Sequence, residues 1–121
     1  MRVAIVGSRR WQDRGAVEAA VAALPAGSVV VSGGCRGVDS WAVAAARRRG
    51  LAVAVHRPDL AGVRCRGEAA ARYHARNQRI VEDSDRMIAF RVVSAEGGTE
   101  DVIRRARAAG IPVEVREEAD R

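Results

Sequence analysis

Three short segments of this sequence hold residue types that can bind an anion. They are Gly7-Ser8-Arg9, Ser32 to Asp39 (SGGCRGVD) and Ser94 to Thr99 (SAEGGT), and each follows an apolar run. Glycines let the backbone turn tightly and approach a ligand closely, while serine and arginine side chains donate hydrogen bonds to phosphate oxygens. A helix that begins after such a loop adds unpaired N–H groups and the positive end of its dipole. We therefore expect a phosphate-binding site, to which Arg36 adds a charged fork.

The middle segment departs from two well-known phosphate-binding signatures. No Lys-Ser/Thr pair follows it, so it is not a P-loop, and its glycine spacing does not match the dinucleotide fingerprint. The alternative is a tight turn between a strand and a helix, in which Ser32 or Asp39 hydrogen-bonds to backbone amides. The residues alone leave both interpretations open.

Three further residues have side chains suited to holding a ligand. Trp11 lies in a polar loop, where it could stack on a base or pack against the edge of the sheet. Arg76 carries a permanent charge, and Asn77 offers both a donor and an acceptor. The alternative for this pair is a solvated helix face.

Two carboxylates lie in the first turn of the last predicted helix, which Thr99 is placed to cap. Glu100 and Asp101 each have an arginine four residues later, at Arg104 and Arg105. Carboxylates favour helix N-termini, and this spacing is typical of stabilising ion pairs. A structural role is therefore the first interpretation of both.

The charge of the chain favours an anionic partner. Its 121 residues include 21 arginines, no lysine and 15 acidic residues, which gives a net charge of +6 and a pI near 11.0. Such a balance suits nucleotides or nucleic acid, although a lysine-free, alanine-rich sequence also results from GC-rich coding. Two cysteines and two histidines are too few for a disulfide framework or a zinc site. We predict no metal and no cofactor.

Hydropathy predicts no contact with a membrane. No apolar run approaches the ~20 residues that cross a bilayer. The N-terminal segment has neither a long apolar region nor a cleavage site of small residues. The expected location is therefore the cytoplasm.

Apolar runs alternate with segments of helical periodicity along the whole chain. Five runs are predicted as buried strands, at residues 3–6, 29–31, 51–55, 87–90 and 111–115, and a helix follows each of the first four. This alternation predicts an α/β fold: a single Rossmann-like, doubly wound domain of about five mainly parallel strands with helices on both faces. Such sheets bind ligands at the carboxyl ends of their strands, so the three segments gather at one rim.

The boundaries of the later elements are less well defined. The third helix ends near Asp83 and starts either at Gly67 or at Arg76. Pro112 places the fifth strand at an edge of the sheet, because proline cannot donate to a neighbouring strand. The domain is expected over residues 1–116, with a frayed tail at 117–121.

The order of the motifs resembles the SLOG superfamily. The sequence contains GSR after the first strand, then SGGxxGVDxxA, RNxxIV, a strand ending in IAF, and GTxDxIRxAxxxGIPV. The branch it is most similar to is that of the small YspA-like, YpsA-related proteins. The superfamily also includes the Lonely-Guy phosphoribohydrolases, the DNA-processing protein A domain and molybdenum-cofactor carrier proteins. The resemblance runs from Arg2 to Val113.

The resemblance implies a nucleotide-type pocket at the rim of a Rossmann-like sheet. Carried over by position, its lining is Gly7, Ser8, Arg9, Gly33, Gly34, Gly37, Asp39, Arg76, Asn77, Gly98 and Thr99. With Trp11, Ser32 and Arg36 from the loops themselves, these residues form the predicted ligand site.

The Lonely-Guy enzymes cleave the bond between a base and ribose 5′-monophosphate with an arginine of the third helix and a glutamate in PGGxGTxxE. Arg76 and Asp101 stand near those two positions and are the catalytic candidates for such a hydrolase. The glycine motif is interrupted here by Ala95 and Glu96, which are expected to crowd an anion. This departure argues against hydrolysis.

Three functions remain after these observations. The leading one is binding of a nucleotide or nucleotide-derived small molecule, as a sensor or carrier. The second is hydrolysis of a nucleoside monophosphate at its glycosidic bond. The third is single-stranded DNA binding, which the net charge supports and the scarcity of aromatics opposes. A homodimer is compatible with each of them.

Overall fold

A computed structural model describes residues 1–93 and 97–119 of the chain. Strands and helices alternate in the order β1 (Arg2–Gly7), α1 (Arg14–Ala22), β2 (Val29–Ser32), α2 (Val38–Arg48), β3 (Ala52–Val55), α3 (Arg66–Glu82), β4 (Arg86–Val92), α4 (Gly98–Ala108) and β5 (Val113–Glu118). Within the described ranges, no helix combines the length and the apolar character needed to cross a membrane.

The five strands form one sheet in the order β3-β2-β1-β4-β5, and all four neighbouring pairs are parallel. The predicted α/β fold is confirmed. The chain adds β2 and β3 on one side of β1, and then β4 and β5 on the other. The strand order therefore reverses between β1 and β4, which is where such sheets open a crevice for a ligand.

Both faces of the sheet are covered by helices. Val3 and Ile5 of β1 belong to one apolar cluster with residues of α1 and α2, whereas Ala4 and Val6 belong to a second cluster with residues of α3 and α4. Successive side chains of a strand point to opposite faces, so the apolar run of β1 supplies both cores. This is why the buried strands of the sequence are apolar throughout.

The fifth strand differs from the sequence-based expectation. It lies at the sheet edge as Pro112 predicted, but it begins at Val113 and continues to Glu118, two residues into the predicted tail. The carboxylate of Glu118 accepts hydrogen bonds from the backbone amides of Gln12 (2.7 Å) and Asp13 (3.1 Å). These bonds hold the end of the strand against the loop after β1.

The third helix begins at Arg66, so the earlier of its two predicted starts is the observed one. It has 17 residues and spans the region that the sequence left ambiguous. This length brings residues well before Arg76 to the carboxyl end of the sheet.

Gly7, the last residue of β1, is required by packing. A Cβ atom added there would lie 2.6 Å from Cγ2 of Val38 and 2.9 Å from the carbonyl oxygen of Phe90. Both neighbours are buried and belong to other elements, α2 and β4. The first turn of α2 can therefore approach β1 only because this position lacks a side chain.

We predict that Gly7→Ala lowers the free energy of unfolding by about 1–3 kcal/mol, because overpacking forces α2 away from the sheet. Gly67→Ala is the matched control, since its added Cβ meets only the sulfur of Cys65, at 3.9 Å, in a helix. Alanine at this second position should leave stability unchanged or raise it by up to about 1 kcal/mol. Urea denaturation measures both, and equal stability of the two variants would contradict the packing argument.

Candidate functional site

A cavity of about 740 Å³ opens where the strand order reverses, beside the end of β1 and the start of α4. Its volume lies within the range of roughly 300–1,000 Å³ that is typical of small-molecule sites. Its walls come from the loop after β1, the loop before α2, the middle of α3 and the first turn of α4. The predicted residues that line this large cavity are Gly7, Ser8, Arg9, Asp39, Arg76, Asn77, Gly98, Thr99 and Asp101.

A second cavity of about 360 Å³ adjoins the large one. The predicted residues Gly33, Gly34 and Arg36 lie here rather than in the large cavity, together with Arg57 from the segment after β3. We call it the arginine cavity, and its lining is Arg9, Gly33, Gly34, Cys35, Arg36, Arg57, Pro58, Leu60 and Tyr73. Arg9, Cys35 and Tyr73 line both cavities, so the predicted single site has two compartments.

Trp11 lies in neither cavity. Its side chain is 6% exposed, and its ring contacts that of Phe90 edge-on with centroids 5.1 Å apart. The indole Nε1 donates a hydrogen bond to the carbonyl oxygen of Asp13 at 2.7 Å. Trp11 therefore takes the packing alternative of the sequence analysis, and it presents no face on which a base could stack.

Ser32 and Gly37 shape the loop between β2 and α2 without lining a cavity. The Ser32 hydroxyl accepts a hydrogen bond from the Gly34 amide (3.2 Å) and donates one to the carbonyl oxygen of Asp39 (3.4 Å). Gly37 is the N-cap of α2 with φ +81°, a conformation that favours glycine. Both residues fix the path of the loop.

Asp39 is buried beneath the same loop. Its carboxylate accepts a hydrogen bond from the Cys35 amide at 3.1 Å, so the turn is closed by side chains as the alternative interpretation proposed. Burial raises the pKa of Asp39 to about 6, although the Cys35 amide and the charges of Arg76 and Arg9 act in the opposite direction. This carboxyl group changes its charge close to neutral pH.

Arg76 is a buried residue of α3, 6% exposed, that packs against the loop before α2. Its Nη1 donates to the carbonyl oxygen of Gly33 at 2.7 Å, and its Nε donates to Oδ1 of Asn77 at 3.1 Å. The guanidinium lies 5.4 Å from the ring centroid of Tyr73 and contacts the sulfur of Cys35 at 3.8 Å. Arg76 is thus a structural cation at the wall of the large cavity.

Asp101 is 4% exposed and has partners on both oxygens. Arg104 and Arg105 of its own helix pair with Oδ1 and Oδ2, and Asn77 donates to Oδ2 at 3.1 Å. Burial alone would raise the pKa of Asp101, but the hydrogen bonds from Arg105 and Asn77 outweigh it, and the pKa is lowered. The carboxylate is therefore ionised and neutralised by its neighbours.

The start of α4 differs in two details from the prediction. Gly97 rather than Thr99 is the N-cap, and Glu100 pairs with Arg91 of β4 instead of Arg104. Arg104 is drawn to the buried carboxylate of Asp101, which leaves Glu100 for the strand beside it. The predicted crowding by Ala95 and Glu96 concerns residues outside the described part of the chain.

Sequence reasoning missed Tyr73 and Arg57. Tyr73 precedes Arg76 by one helical turn, so the helical period of α3 was the signal that could have found it. Arg57 follows β3 directly, and its Nη1 donates to the carbonyl oxygen of Gly34 at 3.1 Å. In residues 1–93 and 97–119, no three histidine, cysteine or carboxylate side chains are grouped to hold a metal ion.

We predict that Asp39 makes stability fall as pH rises between about 4 and 6. The folded protein keeps the Asp39 proton up to about pH 6, whereas an unfolded chain releases it near pH ~3.9. Unfolding becomes easier across this window by up to about 3 kcal/mol. Urea denaturation of Asp39→Asn at several pH values should show that this fall in the free energy of unfolding is absent.

The control for this pH dependence is Asp59→Asn, which makes the same change from carboxylate to amide at an exposed aspartate. It should keep the fall in stability that the wild-type chain shows. An Asp39→Asn variant with the same pH profile as wild type would contradict a raised pKa at this position.

Comparisons with known proteins agree with the architecture. Among solved structures, the chain is similar to DNA processing protein A from Streptococcus pneumoniae, with a TM-score of 0.76 and 23% sequence identity. The superposition covers 94% of this chain and 49% of that chain, so this chain spans about half the length of its neighbour. A likeness at this identity establishes the fold. No curated protein matches the sequence.

The sequence itself matches one family model, that of the YspA, cpYpsA-related SLOG family, over residues 1–62. This segment contains β1 to β3 and therefore the loops that carry Gly7-Ser8-Arg9 and Ser32 to Asp39. It covers just over half of the 121 residues, and it confirms the resemblance carried by the motifs. The chain belongs to the YspA, cpYpsA-related SLOG family.

Proposed function

We propose that this protein binds a nucleotide or a nucleotide-derived small molecule at the carboxyl ends of its strands, as a sensor or carrier. The observation that carries the proposal is the large cavity at the reversal of strand order. Residues from two loops, from α3 and from the first turn of α4, between Val6 and Arg104 in sequence, line one space of about 740 Å³. This convergence of residues that are distant in sequence supports a binding site at the large cavity.

The start of α4 supports a strongly polar ligand. Among the described residues, no side chain caps the first turn of α4, and its N-cap residue, Gly97, lines the large cavity. The first N–H groups of a helix lack partners within the helix. A hydroxyl or carbonyl oxygen of the ligand can accept hydrogen bonds from such N–H groups.

The partners of Asp101 favour binding over hydrolysis. A carboxylate that stabilises positive charge on ribose must turn that charge toward the sugar. Asp101 instead directs both oxygens to Arg104, Arg105 and Asn77. Freeing it would leave a buried carboxylate and cations without partners, which is costly.

We predict that Ala70→Trp blocks ligand binding without harming the fold. Ala70 is an exposed residue of α3 that lines the large cavity, so an indole ring there fills ligand space instead of core space. A panel of nucleoside mono-, di- and triphosphates is first screened by thermal shift against wild type. Calorimetric affinity for any nucleotide found should fall at least tenfold in the variant, which is ~1.4 kcal/mol.

Ala75→Trp is the matched control, because Ala75 is an exposed residue of the same helix that lines neither cavity. It should bind as wild type does. Equal affinity of Ala70→Trp and wild type would remove the large cavity from the site. Failure of every nucleotide to stabilise wild type would overturn the proposed function.

We predict no measurable release of free base from adenosine, guanosine or cytidine monophosphate. The physical reason is that Asp101 is held by three partners and that a displacement of about 1 Å in a reacting group can reduce a rate by ~100-fold. Chromatography of the product mixture with purified protein makes the measurement. Turnover that Asp101→Asn abolishes, in a variant that remains folded, would establish a hydrolase instead.

A further inference from the structure

Three arginines line the arginine cavity, and none of them pairs with a described carboxylate. Arg9, Arg36 and Arg57 all line it, and its described lining contains no carboxylate. Within residues 1–93 and 97–119, none of the three forms an ion pair, whereas eight other arginines pair with Asp or Glu. Arginine keeps its positive charge, so a cavity lined by three arginines and no described carboxylate attracts an anion.

The large cavity has a different electrostatic character. Asp39, Glu100 and Asp101 lie in its wall. Two of its four arginines are held by other residues: Arg76 donates to Gly33 and Asn77, and Arg104 pairs with Asp101. A phosphate placed beside these carboxylates would be repelled by them, whereas Arg9 lies where the large cavity borders the arginine cavity. Neutral hydroxyls and base edges suit such a mixed wall better.

The loop geometry explains why the arginine cavity exists. Gly34 has φ +72°, and a Cβ added to it would lie 2.9 Å from both Nη1 of Arg57 and Cγ1 of Val55. The absence of a side chain thus lets the Arg57 guanidinium lie directly on the loop, where one N–H is held by the Gly34 carbonyl at 3.1 Å. The other N–H groups of Arg57 take no part in that bond and can donate hydrogen bonds to an anion.

We propose that the two cavities divide one ligand: its phosphate binds among Arg9, Arg36 and Arg57, and its sugar and base occupy the large cavity. This orientation rests on the proposed function. The shared border makes the division feasible, because Arg9, Cys35 and Tyr73 line both compartments. Arg9 contacts the sulfur of Cys35 at 3.8 Å and therefore lies at the point where the ligand crosses from one to the other.

The test compares anion and nucleoside binding in single variants. Arg36→Gln and Arg57→Gln each remove one cation of the arginine cavity, and Arg107→Gln removes an exposed cation of α4 that lines neither cavity. Affinities for adenosine 5′-monophosphate, adenosine and inorganic pyrophosphate are measured by calorimetry at one fixed salt concentration. If the nucleotide screen selects another base, its nucleoside and monophosphate replace the adenosine pair.

Arg36→Gln and Arg57→Gln should each weaken binding of the monophosphate and of pyrophosphate at least about fivefold, because each loses a charge-assisted hydrogen bond. Nucleoside binding should stay within about twofold of wild type, and Arg107→Gln should change none of the three. Arg36 makes no described hydrogen bond or ion pair, so its loss leaves the fold intact. Unchanged monophosphate and pyrophosphate affinity in folded Arg36→Gln and Arg57→Gln would overturn the orientation.

The same experiment separates this orientation from the proposed function. Wild type could bind pyrophosphate with an affinity that the arginine variants lower, and bind no nucleotide or nucleoside. The arginine cavity would then be an anion site, and the proposed function would be wrong. If nucleotides bind and Ala70→Trp blocks them while the arginine variants have no effect, the proposed function stands and the orientation fails. A short single-stranded oligodeoxythymidine is measured as well. If it binds more tightly than the monophosphate, and Arg36→Gln and Arg57→Gln lower its affinity, the phosphate in the arginine cavity belongs to a nucleic acid backbone and the nucleotide orientation is overturned.

Discussion

The site depends on one buried cation, the guanidinium of Arg76. It joins helix α3 to the loop after β2 through the Gly33 carbonyl, and it lies against Asn77 and the ring of Tyr73. A charged group with so little exposure is stable only where hydrogen bonds and nearby charge replace water. Here those partners come from two elements distant in sequence, so that α3 and the loop before α2 are fixed relative to each other. The borders of both cavities follow from that fixed distance.

The glycines of the site serve this packing as much as any ligand. A Cβ on Gly33 would lie 2.7 Å from Nη1 of Arg76 and 2.9 Å from the Asp39 carboxylate. The position is therefore glycine because a cation and a buried carboxyl group both approach the backbone there. A glycine-rich loop can have this origin even when it ends beside a cavity, which is why such a motif alone predicts little about the ligand.

The architecture could be predicted from the sequence because apolar runs and helical periods report burial directly. Val3 to Val6 are apolar at every position, which requires cover on both faces. Three features of the structure could not be predicted. Trp11 lies in a polar loop and Ser32 at the end of β2, and their side chains turn toward the core or the backbone, a choice that depends on neighbours such as Phe90. Arg57 reaches the site only through the pairing of β3 with β2. The residues of β5 beyond Val115 are charged because the strand lies at an edge, and their sequence resembles a tail.

The two cavities respond differently to acidity, because the large cavity contains Asp39 and the described lining of the arginine cavity contains no carboxylate. Arginine keeps its proton throughout the physiological range, so the arginine cavity has a charge that pH does not alter. The large cavity gains a negative charge when Asp39 ionises near pH 6. A phosphate monoester loses its second proton in the same range, which strengthens its attraction to the arginines while Asp39 begins to repel it. An internal phosphodiester or diphosphate bridge has no such second proton, and it meets only the repulsion. Monoester and diester ligands should consequently be distinguished by the pH at which each is held most tightly.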